Sequence, residues 1–243
     1  MKTSVRLLFL VLVMLVGASQ LFAQARRGQF EIYAGANIPL GPEGFKDYYK
    51  MGFSLNGQYV FFPSVRVGIP IFAGYEFFSV NSDAINDDFE SALRSVFQGS
   101  GLELVSSNLD VSGSASIIRF GAGVRPYLTA PEASTQFFLF GNATFNILKS
   151  KTELNGGSVT VTDGINTETL ELEGGSSEGD ESKIGLAIGG GIEIPAGEKI
   201  NLIFQGLANF IFTSSEEIDL GDGTTEKVGG TTSFVGITAG IIF

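Results

Sequence analysis

From Gln29 onward the chain alternates apolar and polar residues through eight segments, a period of two that predicts β-strands with two unlike faces. In residues 29–40, Phe30, Ile32, Ala34, Ala36 and Ile38 share one face while Glu31, Tyr33, Gly35 and Asn37 share the other. Residues 49–62 set Met51, Phe53, Leu55, Tyr59 and Phe61 against Gly52, Ser54, Asn56 and Gln58. The third segment, 66–79, repeats the pattern around Pro70, which lacks a ladder donor. Five more are expected at 114–128, 136–148, 183–194, 199–213 and 233–243, with Phe138 and Phe140 blurring the start of the fifth.

The connections alternate between short and long. Short turns fall at Pro63-Ser64, 129–134 and 195–198, and long stretches at 41–48, 80–113, 150–182 and 214–232. An even number of strands with this rhythm predicts an all-β, eight-stranded, antiparallel up-and-down transmembrane β-barrel with short periplasmic turns and long extracellular loops. The faces fix its orientation. One carries Phe, Ile and Leu, which suits lipid; the other carries Gly, Asn, Thr, Ser and isolated charges, which suits a narrow polar lumen. Closure is then obligatory, because lipid offers no partner to a strand edge. A soluble barrel holding a hydrophobic ligand would need the opposite arrangement. In the second long connection Ile85, Phe89, Leu93 and Val96 follow Asp83 at near-helical spacing, which predicts a short amphipathic helix lying on the barrel mouth. Asp163-Gly164 and Asp222-Gly223 predict hairpins that continue above the membrane.

The segment before the first strand differs in kind. Lys2 and Arg6 precede an apolar run from Leu7 to Val16 that is too short to span a bilayer, and Ala23-Gln24-Ala25 forms a small-x-small cleavage site. Residues 1–25 are therefore expected to be an export signal, and residues 26–243 one barrel domain. Removing Lys2 and Arg6 shifts the formal net charge from −11 to −13.

Composition narrows the chemistry. The chain has no His and no Cys, so it holds no His-based triad, thiol nucleophile, His/Cys zinc site or disulfide. With Lys+Arg 15 against Asp+Glu 26 and no basic cluster, a nucleic-acid partner is not expected. Five charges fall on inward faces: Glu31, Glu76, Arg119, Arg125 and Glu193. In a low-dielectric interior they must pair, either as a plug that fills the lumen or as a salt-bridge gate in a narrow channel. Arginines on the same faces argue against paired-carboxylate glycosidase chemistry. The loops are acidic, with Glu153, Asp163, Glu168, Glu171, Glu173, Glu178, Asp180 and Glu181 in the third and Glu216, Glu217, Asp219, Asp222 and Glu226 in the fourth. No run matches an EF-hand loop. Neither catalytic residues, a metal site nor a cofactor is expected.

The export signal, the strand and loop rhythm, and the terminal Val235-Gly236-Ile237-Thr238-Ala239-Gly240-Ile241-Ile242-Phe243 together resemble the small eight-stranded outer-membrane β-barrels, the family of the OmpA transmembrane domain and OmpX. The resemblance spans the chain after the signal. It implies residence in the outer membrane of a Gram-negative-type bacterium, as a monomer, with the lipid bilayer and the barrel-insertion machinery as partners. Phe243, with Ile241 and Ala239 at alternate positions, then stands as the assembly signal. It also implies that Glu31, Glu76, Arg119, Arg125 and Glu193 form a lumenal network like that of OmpA. The expected function is non-enzymatic, structural or surface-interacting through the acidic loops, with a narrow gated diffusion channel for small solutes or ions as the alternative. The loops' ligand is unknown.

Overall fold

A computed structural model describes residues 28–197, 200–219 and 225–243, and the side chains of all of these except 214–229. The export signal with its cleavage site and the Asp222-Gly223 turn lie outside the described residues. The chain runs β1 (Gln29–Gly41), α1 (Glu43–Tyr48), β2 (Gly52–Ser64), β3 (Val67–Ser79), α2 (Ser82–Phe97), β4 (Glu103–Pro126), β5 (Gln136–Thr162), β6 (Thr167–Leu172), β7 (Gly175–Pro195), β8 (Asn201–Asp219) and β9 (Thr225–Ile242).

Eight of these strands close on themselves, each antiparallel to its neighbours, in the order β1-β2-β3-β4-β5-β7-β8-β9. Closure is made by β9 against β1, from Glu31↔Ile242 to Ile38↔Val235, and Phe243 and Phe30 exchange backbone hydrogen bonds at the end of the ladder. Among the described residues the ninth strand, β6, pairs only with β5, and it stands outside the barrel. Pro70 sits inside β3, and the β3–β4 ladder skips Ile69 and Pro70, passing from Gly68↔Arg125 to Ile71↔Ala122. Proline has no N–H to give to this ladder, and the pairing resumes at Ile71.

The exterior is an apolar belt. Phe30, Ile32, Phe53, Leu55, Ile71, Phe120, Phe145, Ile188, Phe204 and Ile237 are all exposed, while the inward face between them carries the buried polar residues. On β1 the belt runs from Phe30 to Leu40, about 33 Å of strand at about 3.3 Å per residue, or about 25 Å of height at a tilt of about 40°. That height matches the hydrocarbon layer such barrels cross. The outward alternations that predicted β1 and β2 are therefore retained in the structure residue for residue.

Three features depart from the sequence expectations. The later strands are longer than the alternation suggested: β4 and β5 stay paired out to Glu103↔Thr162, well beyond Ile118↔Ile147, where outward apolar residues end. The polar segments above the belt still form strands because the sheet supplies partners for their backbone groups. The Asp163-Gly164 turn does close a hairpin, β5 to β6, with Asp163 accepting from the N–H groups of Ile165 and Asn166 at 2.8 and 2.6 Å. Secondly, α2 does form, but it lies on this raised sheet rather than on the barrel mouth. Phe89, Leu93 and Phe97 pack on Leu104, Val159, Val161 and Leu172, a patch that would otherwise face water. Asn86 fastens the helix to the sheet, its side chain accepting from Leu109 N–H at 2.6 Å and donating to Leu109 C=O at 2.9 Å. This also occupies the backbone groups of an edge strand that carries two register shifts, both devices that block unwanted pairing. Thirdly, the first long loop contains α1, which sets Phe45 into the mouth.

Candidate functional site

Inside the barrel the five predicted charges are buried and fall into two groups. Near the short-turn end, Arg125 from β4 reaches Glu31 of β1 through two contacts, Nη1 to Oε1 at 2.6 Å and Nη2 to Oε2 at 3.0 Å, and reaches Glu193 of β7 at 3.3 Å. Gln29 and Gln58 each donate to Glu31 at 2.7 Å, and the Tyr127 hydroxyl donates to Glu193 at 2.5 Å. The guanidinium also stacks over Phe138, 4.3 Å from the ring centroid. The forked contact uses the planar geometry of arginine, which lysine could not reproduce. Further along the lumen, Arg119 pairs with Glu76 at 2.6 Å and donates to Asn209 and Asn56, while Asn37 donates to Glu76.

On β3 each arginine stands opposite a glycine, Gly68↔Arg125 and Gly74↔Arg119, and the space beside those two glycines is taken up by Val60 and Asn56. The six-residue spacing is the same on the two strands, as an antiparallel register requires.

The lumen is less polar than its Gly, Asn, Thr and Ser content suggested. Large apolar side chains point inward at both ends. Val60, Phe62, Tyr127, Phe138, Phe140, Ile203 and Ile242 fill the short-turn end, while Phe78, Ile117, Ile211 and Phe234 form a collar at the long-loop end, closed above by Phe45. Sequence reasoning missed these because the inward face of a barrel accepts either polarity. Glycine explains how they fit: Phe138 stands opposite Gly191 and Phe140 opposite Gly189 on β7. A Cβ at Gly191 would lie 2.6 Å from the Phe138 ring, so the side-chain-free position is the seat of that ring. The Gly189-Gly190-Gly191 run is thus a packing device.

Between the two charged groups, Tyr33, Phe72, Phe140 and Leu207 line a cavity of about 10 Å³. That is room for about one water. From end to end the lumen holds an apolar plug threaded by the Arg125 group, then the Arg119 group, then the apolar collar. Among the described residues, no group of three or more acidic side chains is arranged to hold a metal ion.

Ile241 and Ala239 on β9, and Phe243 just past it, all face outward. Above the membrane the acidic residues lie on the raised strands, where Glu168 and Glu171 are on β6, and Glu178, Asp180 and Glu181 on β7. Lys151 bridges Glu153 and Glu178 at 2.7 and 3.5 Å, which holds its ammonium above the usual lysine range.

A closed antiparallel barrel with an apolar exterior and paired charges inside is a transmembrane β-barrel of eight strands, here with a packed interior. Among solved structures the chain is similar to Neisserial surface protein A at 12% identity, covering 90% of this chain and 97% of that one, with a TM-score of 0.47. It is similar also to a major outer membrane protein from Thermus thermophilus, at 14% identity over 90% of this chain and 100% of that one, with a TM-score of 0.45. The attachment invasion locus protein Ail of Yersinia pestis, solved with the heparin analogue sucrose octasulfate, follows at 12% identity over 90% of this chain and 100% of that one, with a TM-score of 0.40. No protein-family model matches the sequence, and no curated protein matches it.

Proposed function

We propose that the chain is a non-enzymatic, exported, monomeric protein of the outer membrane that works through its raised acidic strands and not through its lumen. The observation that carries this is the division of the molecule: a barrel closed by side chains at three levels, and above it a sheet and helix that extend well past the membrane belt. Burial of apolar side chains and paired charges stabilises the barrel, leaving the platform free to meet a partner surface. On this reading the short turns face the periplasm. The apolar belt is partnered by lipid, and the outward Phe243, Ile241 and Ala239 are offered to the insertion machinery.

The gated-channel alternative draws on one specific feature, the Arg119–Glu76 pair set among polar asparagines that could receive either partner. The apolar collar beyond that pair weighs against it, since breaking the ion pair would leave Phe78 and Phe234 across the path. Trimming tests the surface role. Leu154 and Gly175 already face each other across β5 and β7, so replacing residues 155–174 with a short turn shortens the platform and leaves the barrel intact. Proteoliposomes carrying the full chain should attach to an amine-bearing surface in a salt-sensitive way, and those carrying the trimmed chain, which lacks Asp163, Glu168, Glu171 and Glu173, should attach more weakly. Equal attachment by both would remove the β5–β6 hairpin from the function.

A further inference from the structure

Above the collar, the mouth contains a pocket of about 330 Å³ that the plugged lumen does not use. We infer that it is a binding site for an uncharged, hydroxyl-bearing amphiphile with a short apolar tail. The pocket has an apolar floor and roof. Ile117 of β4 and Leu148 of β5 form the floor, and Phe45 and Tyr49, whose rings are 5.4 Å apart, form the roof. Its rim is hydroxylic, with Ser150, Thr213 and Thr232. The two charged residues that line it, Lys149 and Glu181, cancel formally, so the rim favours neither an anion nor a cation.

The space exists because β7 brings Gly179 to the wall where its neighbours bring side chains. A Cβ there would meet only the Ser150 hydroxyl, at 2.9 Å. At about 330 Å³ the pocket stands at the small end of ligand sites and suits a tail of about ten carbons. The way in also indicates an amphiphile. Among the described residues no β7–β8 pair lies above Gly185↔Ile211; beyond it β7 pairs only with β5, and β8 only with β9. The barrel wall therefore parts between β7 and β8 at the level where the outward apolar residues Ile184 and Phe212 end the belt. A molecule with a tail and a polar head has the chemistry to sit across that opening.

The test is a nuclear magnetic resonance titration of the full mature chain in nanodiscs of deuterated lipid, with n-decanol as probe. The site predicts saturable shifts and probe contacts at the Ile117 and Leu148 methyls. Gly179→Leu, which fills the space, should weaken them at least tenfold. Ser150→Leu narrows the same pocket from β5 and serves in its place if the glycine variant does not fold. Decyl sulfate and decyltrimethylammonium should each bind at least tenfold more weakly than decanol. Contacts confined to outward methyls such as Leu186 would show bulk partitioning and overturn the proposal. So would wild-type binding by a folded filling variant, or equal binding of either charged probe.

Discussion

Replacing Arg125 by alanine tests how the barrel interior is held. Its guanidinium is 1% exposed, lies within 3.3 Å of both Glu31 and Glu193, and stacks on Phe138. Truncation would leave two carboxylates in a dry interior with only the Gln29, Gln58 and Tyr127 donors for support. Breaking a buried pair by removing one partner costs about 3–5 kcal/mol, and a desolvated cation–π contact contributes about 2 kcal/mol more. A loss of about 5 kcal/mol is expected, a large share of a typical folding free energy of about 5–15 kcal/mol. Urea unfolding in phospholipid vesicles measures it, followed by the slower gel migration of the unfolded form and by tyrosine fluorescence, since the chain has no Trp. The companion variant Glu31→Gln/Arg125→Met/Glu193→Gln removes the charges together while keeping their shapes, and should recover most of the loss. Arg125→Ala within about 1 kcal/mol of the wild type would refute the reasoning, as would a triple variant less stable than the single one.

Other consequences follow from the same geometry. Arg119→Ala strips Glu76 of its cation and should cost about 3–5 kcal/mol without creating conductance; a stable variant with new channel openings would identify a gate instead. Deleting Phe243 should slow assembly by the insertion machinery several-fold while leaving the folded barrel about as resistant to urea as before, and unchanged assembly would remove its role as a signal. At the hairpin tip the backbone N–H groups of Asn166 and Ile165 hold the Asp163 carboxyl below the usual aspartate range. A depressed folded value contributes order that is present above the ordinary value of about 3.9 and lost as pH falls through the lower folded one. The Ile165 and Asn166 amide shifts should therefore hold down to pH about 4, change only below it, and be lost at neutral pH in Asp163→Ala.

How far the sequence could be read depended on which solvent each residue meets. Lipid rejects polar side chains at every outward position, so Phe30 to Ile38 on β1 and Phe53 to Phe61 on β2 declare their faces without help from neighbours. The interior is less exacting. It accepts Phe138 as readily as Asn142, provided the strand beside it supplies a glycine, and only the register Phe138↔Gly191 reveals that condition. The five charges were legible singly, yet their division into two groups depended on which residues crossed the lumen. Above the membrane the signal faded because both faces of β4 and β5 are largely polar there, and strand formation rests on pairing instead of alternation. The helix α2 was legible from its apolar spacing, but not its seat, since Leu104, Val159 and Val161 come together only once that raised sheet has formed.

Single-channel recording in planar bilayers, on protein whose insertion is verified by its heat-dependent gel migration, tests the closed barrel most directly. Silence across the voltage range accessible to the bilayer is the predicted result, because the Phe62–Tyr127–Phe138 plug, the two charged groups and the Phe78–Phe234 collar all stand in the path. Reproducible discrete openings from the wild-type chain would contradict it and return the lumen to the centre of its function.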